Sequence, residues 1–376
     1  MRGSPPRLLS LLLLLLALAL PMAGCWDNRE PQRRAYVLGM GIDPDPEDED
    51  QIVLSLQMPI PRAAARGKEG AGAGEEQYFL VQGRGASMVT ALQDAQDHVS
   101  RALFLGQMRA IVLSADLSAR QVEHVTIGLR TNPDIEDTVY MTVTQGRADQ
   151  VLLKDARLER LPALFFNSVF EAVRRMTVSE PVQLWQYWRA QLTSGWEPVL
   201  PRVEAAGDEV EVQGLAAYRG YELMGFLEGE EAQGYLWLMG STVNRALFVE
   251  TEGGPSSVRS LAVTARPRVR FEGNRPVYSV ELHIVGEVAL PIHHPGGTQA
   301  EMEMIREAAE ERILQQVERA ITRIQQELRT DIFGFGKLLF YRHPRYFASV
   351  DWEELFPQVR IEPAVTVSLH RKGAMH

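Results

Sequence analysis

The chain has 376 residues, 45% of them hydrophobic, and a net charge of −10 from 49 acidic and 39 basic side chains. Such an acidic chain, with no lysine or arginine cluster to offset it, is repelled by phosphates, which excludes nucleic acid as a partner. A single cysteine excludes an internal disulfide, so the fold must rest on core size, which this length supplies over two or three domains.

Arg2 and Arg7 flank the start of a leucine-rich run from Leu8 to Leu20, Pro21 breaks it, and Met22-Ala23-Gly24 precede Cys25. This is the layout of an export signal, and the run is shorter than the roughly 20 apolar residues that span a bilayer. A cysteine directly behind the small residues is what a bacterial lipoprotein signal requires. Cys25 is therefore the expected lipid-attachment residue, carrying a diacylglyceryl and N-acyl (palmitate-type) lipid after cleavage of residues 1–24. Cleavage removes Arg2 and Arg7 and takes the net charge to −12. Two acyl chains, at about 0.8 kcal/mol per buried CH₂, anchor where one would be marginal. No later stretch approaches a membrane span in length.

Behind a stem from Trp26 to Pro31, two strands are predicted at Tyr36–Ile42 and Gln51–Met58. The loop between them, Asp43–Asp50, carries six carboxylates. Its sixth position is Asp48, where a calcium loop needs glycine, so it reads as a solvated acidic loop. An Ala- and Gly-rich stretch over about 62–77 reads as a mobile insertion. A helix over Ala86–Leu103, a strand at Met108–Leu113, a helix over Ala119–Arg130 and a strand at Val139–Thr144 follow. This alternation implies an N-terminal α/β domain over 25–200. A helical stretch from about Leu158 to Gln191 comes next, with Trp185, Trp188 and nearby Trp196 as core or interface aromatics.

Glu197–Glu204, with Pro198 and Pro201, reads as a linker. Beyond it, strands at Glu209–Tyr218, Leu223–Glu228, Arg245–Val249, Ser260–Val269 and Val277–Leu290 define a strand-rich C-terminal domain over 201–376, with room for two subdomains. One long amphipathic helix follows, opened by a Thr298/Glu301 capping box. Its stripe runs through Met302, Ile305, Ala309, Ile313, Val317, Ile321, Ile324 and Leu328. The stripe is expected to lie across the sheet, because Ala309 weakens a coiled-coil seam. Asp331-Ile-Phe-Gly-Phe-Gly336 ends the helix, and Val359–Leu369 reads as a closing strand. The fold class is mixed α/β and α+β, in several domains.

Chemistry is sparse. The nucleophile-elbow, phosphate-loop and H-E-x-x-H zinc motifs do not occur in the sequence. His293-His294 lies between prolines, and adjacent side chains point apart on a strand, a poor fit to one metal. Glu301, Glu303 and neighbouring carboxylates are the sole suggestion of a wall-hydrolase pair, and they fall on a solvated helix face. Neither a catalytic, a metal nor a cofactor site is assigned. Tyr341, Arg342, His343 and Arg345 concentrate positive charge beside aromatics and form the candidate partner-docking patch.

Four segments carry a resemblance. Gly24-Cys25-Trp26-Asp27-Asn28-Arg29-Glu30 leads into Tyr36–Asp43. Leu200–Glu204 is followed by Gln213–Tyr218 and Leu223–Leu227. Asp331–Gly336 is followed by Tyr341-Arg342-His343-Pro344, and Trp352 by Phe356-Pro357. In this order they resemble the Ger(x)C family of spore germination lipoproteins over nearly the whole mature chain. Two departures are Pro31, where the family continues with leucine after Arg-Glu, and the longer loop at 63–77.

The resemblance implies a multi-domain mixed α/β fold and a non-enzymatic role as the C subunit of a nutrient germinant receptor. It further implies integral-membrane A and B subunits as partners, and a lipid-anchored position on the outer face of the spore inner membrane. The alternative reading is a tethered solute-binding lipoprotein that delivers a nutrient to a transporter, which requires a deep interdomain cleft.

Overall fold

Three short runs with every residue, or all but the last, buried form the centre of the molecule: β2 (Gly39–Pro44), β6 (Ala110–Ser114) and β7 (Tyr140–Thr144). They pair in parallel, as strands covered on both faces do. The computed structural model describes residues 33–60, 78–153, 179–207, 209–241, 246–252, 254–289 and 298–371. Cys25, the insertion at 62–77, the first part of the helical stretch from Leu158 and His293-His294 lie outside these residues.

Further strands widen the central trio on both sides, joining it antiparallel at β2 and parallel at β7. β3 (Ile52–Pro59) and β4 (Tyr78–Gly85) extend it beyond β2, while β9 (Val199–Ala206), β10 (Glu209–Arg219) and β11 (Glu222–Glu228) extend it beyond β7. The short β8 (Val182–Gln183) pairs with the start of β7, and β1 (Arg34–Tyr36) runs parallel to β5 (Ala102–Phe104) as a separate pair.

α1 (Met88–Asp97), α2 (Ala119–Thr131) and α4 (Leu184–Gln191) bury Met88, Ala91, Val122, Val125, Tyr187 and Trp188 on one side of the large sheet. The other side is covered by α3 (Ala148–Leu153) through Ala148, Val151 and Leu152. Both α1 and α2 start on serine capping boxes, Ser87 and Ser118.

The C-terminal sheet has the order β12 (Ala246–Thr251), β13 (Gly254–Glu272), β14 (Arg275–Ala289), β15 (Arg360–Arg371), with β15 parallel to β14. α6 (Gln299–Thr322) crosses it, and Ile305, Ala309, Ile313 and Val317 of the expected stripe are buried in a core with Leu282, Ile284 and Val367. The Thr298/Glu301 box is present: Glu301 N–H donates to Thr298 Oγ1 at 3.2 Å, and Thr298 N–H to the Glu301 carboxylate.

The structure redraws several elements. The helix expected to Leu103 stops at Asp97, because the Gln96 side chain bonds Val99 O, Arg101 O and Leu103 N–H and turns the chain into β5. The strand expected at Tyr36–Ile42 is two, β1 and β2. Glu197–Glu204 is no linker from Val199 on but strand β9, with Pro201 opposite Leu215 of β10. Proline fits there because β7 pairs with β9 at a single position, Val143 opposite Arg202.

The long helix is α-helical to Thr322 and π-helical over Arg323–Leu328, and Arg329, at φ 51°, stops it in the left-handed region. A further helix, α5 (Gly229–Leu238), is absent from the sequence reading; it packs along α6 with Tyr235 to Leu238 all buried.

β10 joins the two halves. Ala216 and Tyr218 face the core of the large sheet, whereas Leu215 and Ala217 face the α6 core. The large sheet therefore continues past residue 200 to Glu228.

Candidate functional site

The segment after α6 is built around one carboxylate. Asp331 is 3% exposed and accepts four hydrogen bonds. The backbone N–H of Gly334 donates at 2.9 Å, Phe335 at 3.2 Å and Gly336 at 2.6 Å, and the Trp352 indole at 3.0 Å. Three of the donors open α7 (Phe335–Arg342), and the fourth belongs to α9 (Trp352–Leu355), with α8 (Pro344–Phe347) between the two helices. Burial pushes the Asp331 carboxyl up to about 7 against the pull of these donors. Gly334 sits at φ +78°, open to glycine, and a Cβ on Gly336 would meet Trp352 and lie 2.7 Å from the Gly195 Cα.

The N-terminal half docks on this loop. Lys337 N–H donates to Gly195 O at 2.7 Å, and Glu197 N–H to Asp331 O at 3.0 Å. The Trp196 indole donates to Ile332 O at 3.3 Å, and Thr330 Oγ1 to Tyr218 O at 2.6 Å. Glu197 accepts the Gly220 N–H at 2.6 Å, and burial holds its carboxyl above the usual range. The Asp331–Lys337 loop is thus the bolt between the two halves as well as the seat of α7.

α7 carries the predicted patch outward. Tyr341 is 68% exposed, and Arg342, His343 and Arg345 are exposed beside it. The Phe340 ring meets those of Tyr341 and Phe347 edge-on at 5.4 and 5.5 Å, which fixes the aromatic part of the patch. The His343 ring rests on Phe271 of β13 at 5.0 Å, and Tyr346 OH donates to Asn274 O at 2.8 Å. The patch is accordingly held against the far end of the β13–β14 hairpin.

Other candidates have structural employment. Glu303 forms a two-point ion pair with Arg306, whose closest approach is 2.7 Å, and Glu301 caps α6. Asp43 departs from the solvated loop expected of it. It is 1% exposed and accepts the N–H groups of Ala148 at 2.7 Å and Asp149 at 3.2 Å, holding α3 on the sheet. Among the described residues no group of three or more His, Cys, Asp or Glu is arranged to hold a metal ion, and no helix is long and apolar enough to cross a membrane.

A wide mixed sheet bolted to a smaller sheet with a long crossing helix defines a two-part α+β architecture. It matches the crystal structure of the GerBC protein with a TM-score of 0.58 at 17% identity, over 88% of this chain and 96% of that one. The model of the spore germination protein N-terminal domain matches residues 27–205. That of the spore germination B3/GerAC-like C-terminal domain matches residues 213–373. Spore germination protein KC of Bacillus subtilis (strain 168) is 24% identical over 97% of this chain and 96% of its own length. Spore germination protein GerQC of Bacillus cereus is 20% identical over 80% of this chain and 84% of its own. The chain belongs to the Ger(x)C family of spore germination proteins.

Proposed function

We propose that the protein is the lipid-tethered, non-enzymatic C-type subunit of a nutrient germinant receptor. It is held on the outer face of the spore inner membrane through a diacylglyceryl group on Cys25 and works beside integral-membrane A and B subunits. The observation that carries this reading is the order of segments: both spore germination domains follow directly on the Gly24-Cys25 export signal. Tethering raises the effective concentration of a binding surface at the membrane without any new contact. The non-enzymatic part is supported by Glu301 and Glu303, whose carboxylates are committed to a cap and an ion pair.

Tyr341, Arg342, His343 and Arg345 are the proposed docking residues for the partner subunits. An epitope-tagged chain solubilised from spore membranes in mild detergent should bring down two polytopic subunits, and Tyr341→Ala with Arg345→Glu should release them. Recovery of the wild-type chain alone would refute the assignment.

A further inference from the structure

α4 presents to solvent a face of mixed chemistry. Trp185, Arg189 and Leu192 follow at steps of four and three residues on one side of the helix. Trp185 is 40% and Leu192 64% exposed, opposite the buried Leu184, Tyr187 and Trp188. The Arg189 guanidinium stands over both the Trp185 and Trp196 rings, 5.0 Å from each centroid. Lys337 of α7 covers Trp196 at 3.7 Å. Cations and indoles alternate across both halves of the protein. Among the described residues neither Arg189 nor Lys337 has a carboxylate within ion-pair distance, although the chain carries 49 acidic side chains. Burial, and after it the nearby Arg189, pull the Lys337 pKa down, against an upward pull from Asp331.

The first described strand lies at the same end of the molecule. β1 lies just ahead of β2 in the chain and pairs with β5, just ahead of β6. Leu184 and Trp185 donate their N–H groups to Val139 O and Asp137 O, just ahead of β7. Because β2, β6 and β7 are parallel, Arg34 and Trp185 both lie toward their N-terminal ends. The stretch from Cys25 to Arg33 reaches about 28 Å when fully extended, so a lipid on Cys25 would keep this end close to the bilayer.

We infer that the face formed by Trp185, Arg189, Leu192, Trp196 and Lys337 rests on anionic phospholipid headgroups; the inference rests on the Cys25 tether proposed above. Indoles favour the headgroup level, and each cation near an anionic surface strengthens binding about fivefold. A mature chain of net charge −12 is otherwise repelled by that surface. A face that carries Arg189 and Lys337 outside any ion pair can approach it, which orients the protein and aims the neighbouring Tyr341–Arg345 patch along the membrane.

The test uses residues 25–376 with Cys25→Ser, which carries no lipid, and phosphatidylcholine vesicles with and without phosphatidylglycerol. Co-sedimentation should require phosphatidylglycerol and fall with added salt. Arg189→Gln with Lys337→Gln should weaken it about 25-fold, two charges at fivefold each, with circular dichroism unchanged. A vesicle-induced blue shift of tryptophan emission should shrink in Trp185→Phe. Equal binding to both vesicle types, salt-independent binding or undiminished binding by the double variant would overturn the inference. So would a wild type that ignores vesicles while the double variant loses a membrane-protein partner, which would assign the face to an acidic protein segment. The tether is judged separately: vesicle binding with no lipid found on Cys25 in cells removes the tether alone, and a lipidated Cys25 with no vesicle binding removes this inference alone.

Discussion

Asp331 and Trp352, 21 positions apart, share a buried hydrogen bond of 3.0 Å that fastens α9 to the loop bolting the two halves together. The carboxylate has donors on every side, so the amide introduced by Asp331→Asn would set its own N–H groups against backbone donors. That substitution should cost about 2–3 kcal/mol of unfolding free energy, read by urea titration.

The same variant carries a pH signature. The folded pKa of Asp331 is raised from 3.8 to about 7, so the folded state binds this proton more tightly than the unfolded chain between those values. Its stabilising contribution is full below about pH 3.8 and is lost as pH rises through about 7. The stability difference between wild type and Asp331→Asn should therefore be larger at pH 5 than at pH 8. A difference that grows toward pH 8 would show that the four donors outweigh burial.

The helix pair in the C-terminal half makes a second test. Trp237 Nε1–H donates to Gln316 Oε1 at 2.9 Å with both side chains buried. Gln316→Leu should lose about 1–3 kcal/mol by leaving the indole N–H unpaired. Trp237→Phe in the same background should add less than it costs alone, and additive losses in a double-mutant cycle would contradict the pairing.

Gly234 lies where α5 crosses α6, and a Cβ there would collide with the Gln316 carbonyl. Gly234→Ala, helix-favouring in isolation, should here destabilise by about 2–3 kcal/mol. A raised thermal midpoint would mean that α5 does not approach α6 this closely.

These examples mark what the sequence discloses. The Thr298/Glu301 box and the stripe from Ile305 to Leu328 are legible because they are written within one helix, where spacing alone sets the face. α5 is not: Gly234 reads as a breaker, and its buried C-terminal half shows no polar side to reveal a helical period. Pro201 likewise argues for a linker, since the single-position contact of β9 with β7 that tolerates it is a tertiary fact. Tyr341, Arg342 and Arg345 can be picked out as an exposed patch by composition. Asp331 looks like a helix terminator because its fourth donor comes from residue 352, and Asp43 looks solvated because the helix it holds begins at Ala148. The cation–indole face draws on two separate segments, residues 185–196 and Lys337, which only folding brings together.

The docking patch predicts a separation of effects. Tyr341→Ala with Arg345→Glu changes exposed side chains and should move unfolding free energy by no more than about 0.5 kcal/mol. Germination in response to nutrient should nonetheless fall in spores carrying it. Unchanged germination would move docking to another surface.

The central claim is that the folded halves act as a membrane-tethered receptor subunit, and the fate of Cys25 tests it most directly. The wild type and Cys25→Ala should be compared by mass spectrometry, membrane fractionation and nutrient germination. A diacylglyceryl group on the wild type, with release and loss of germination in a still-folded variant, is the predicted result. Full germination by a soluble Cys25→Ala protein would contradict the account.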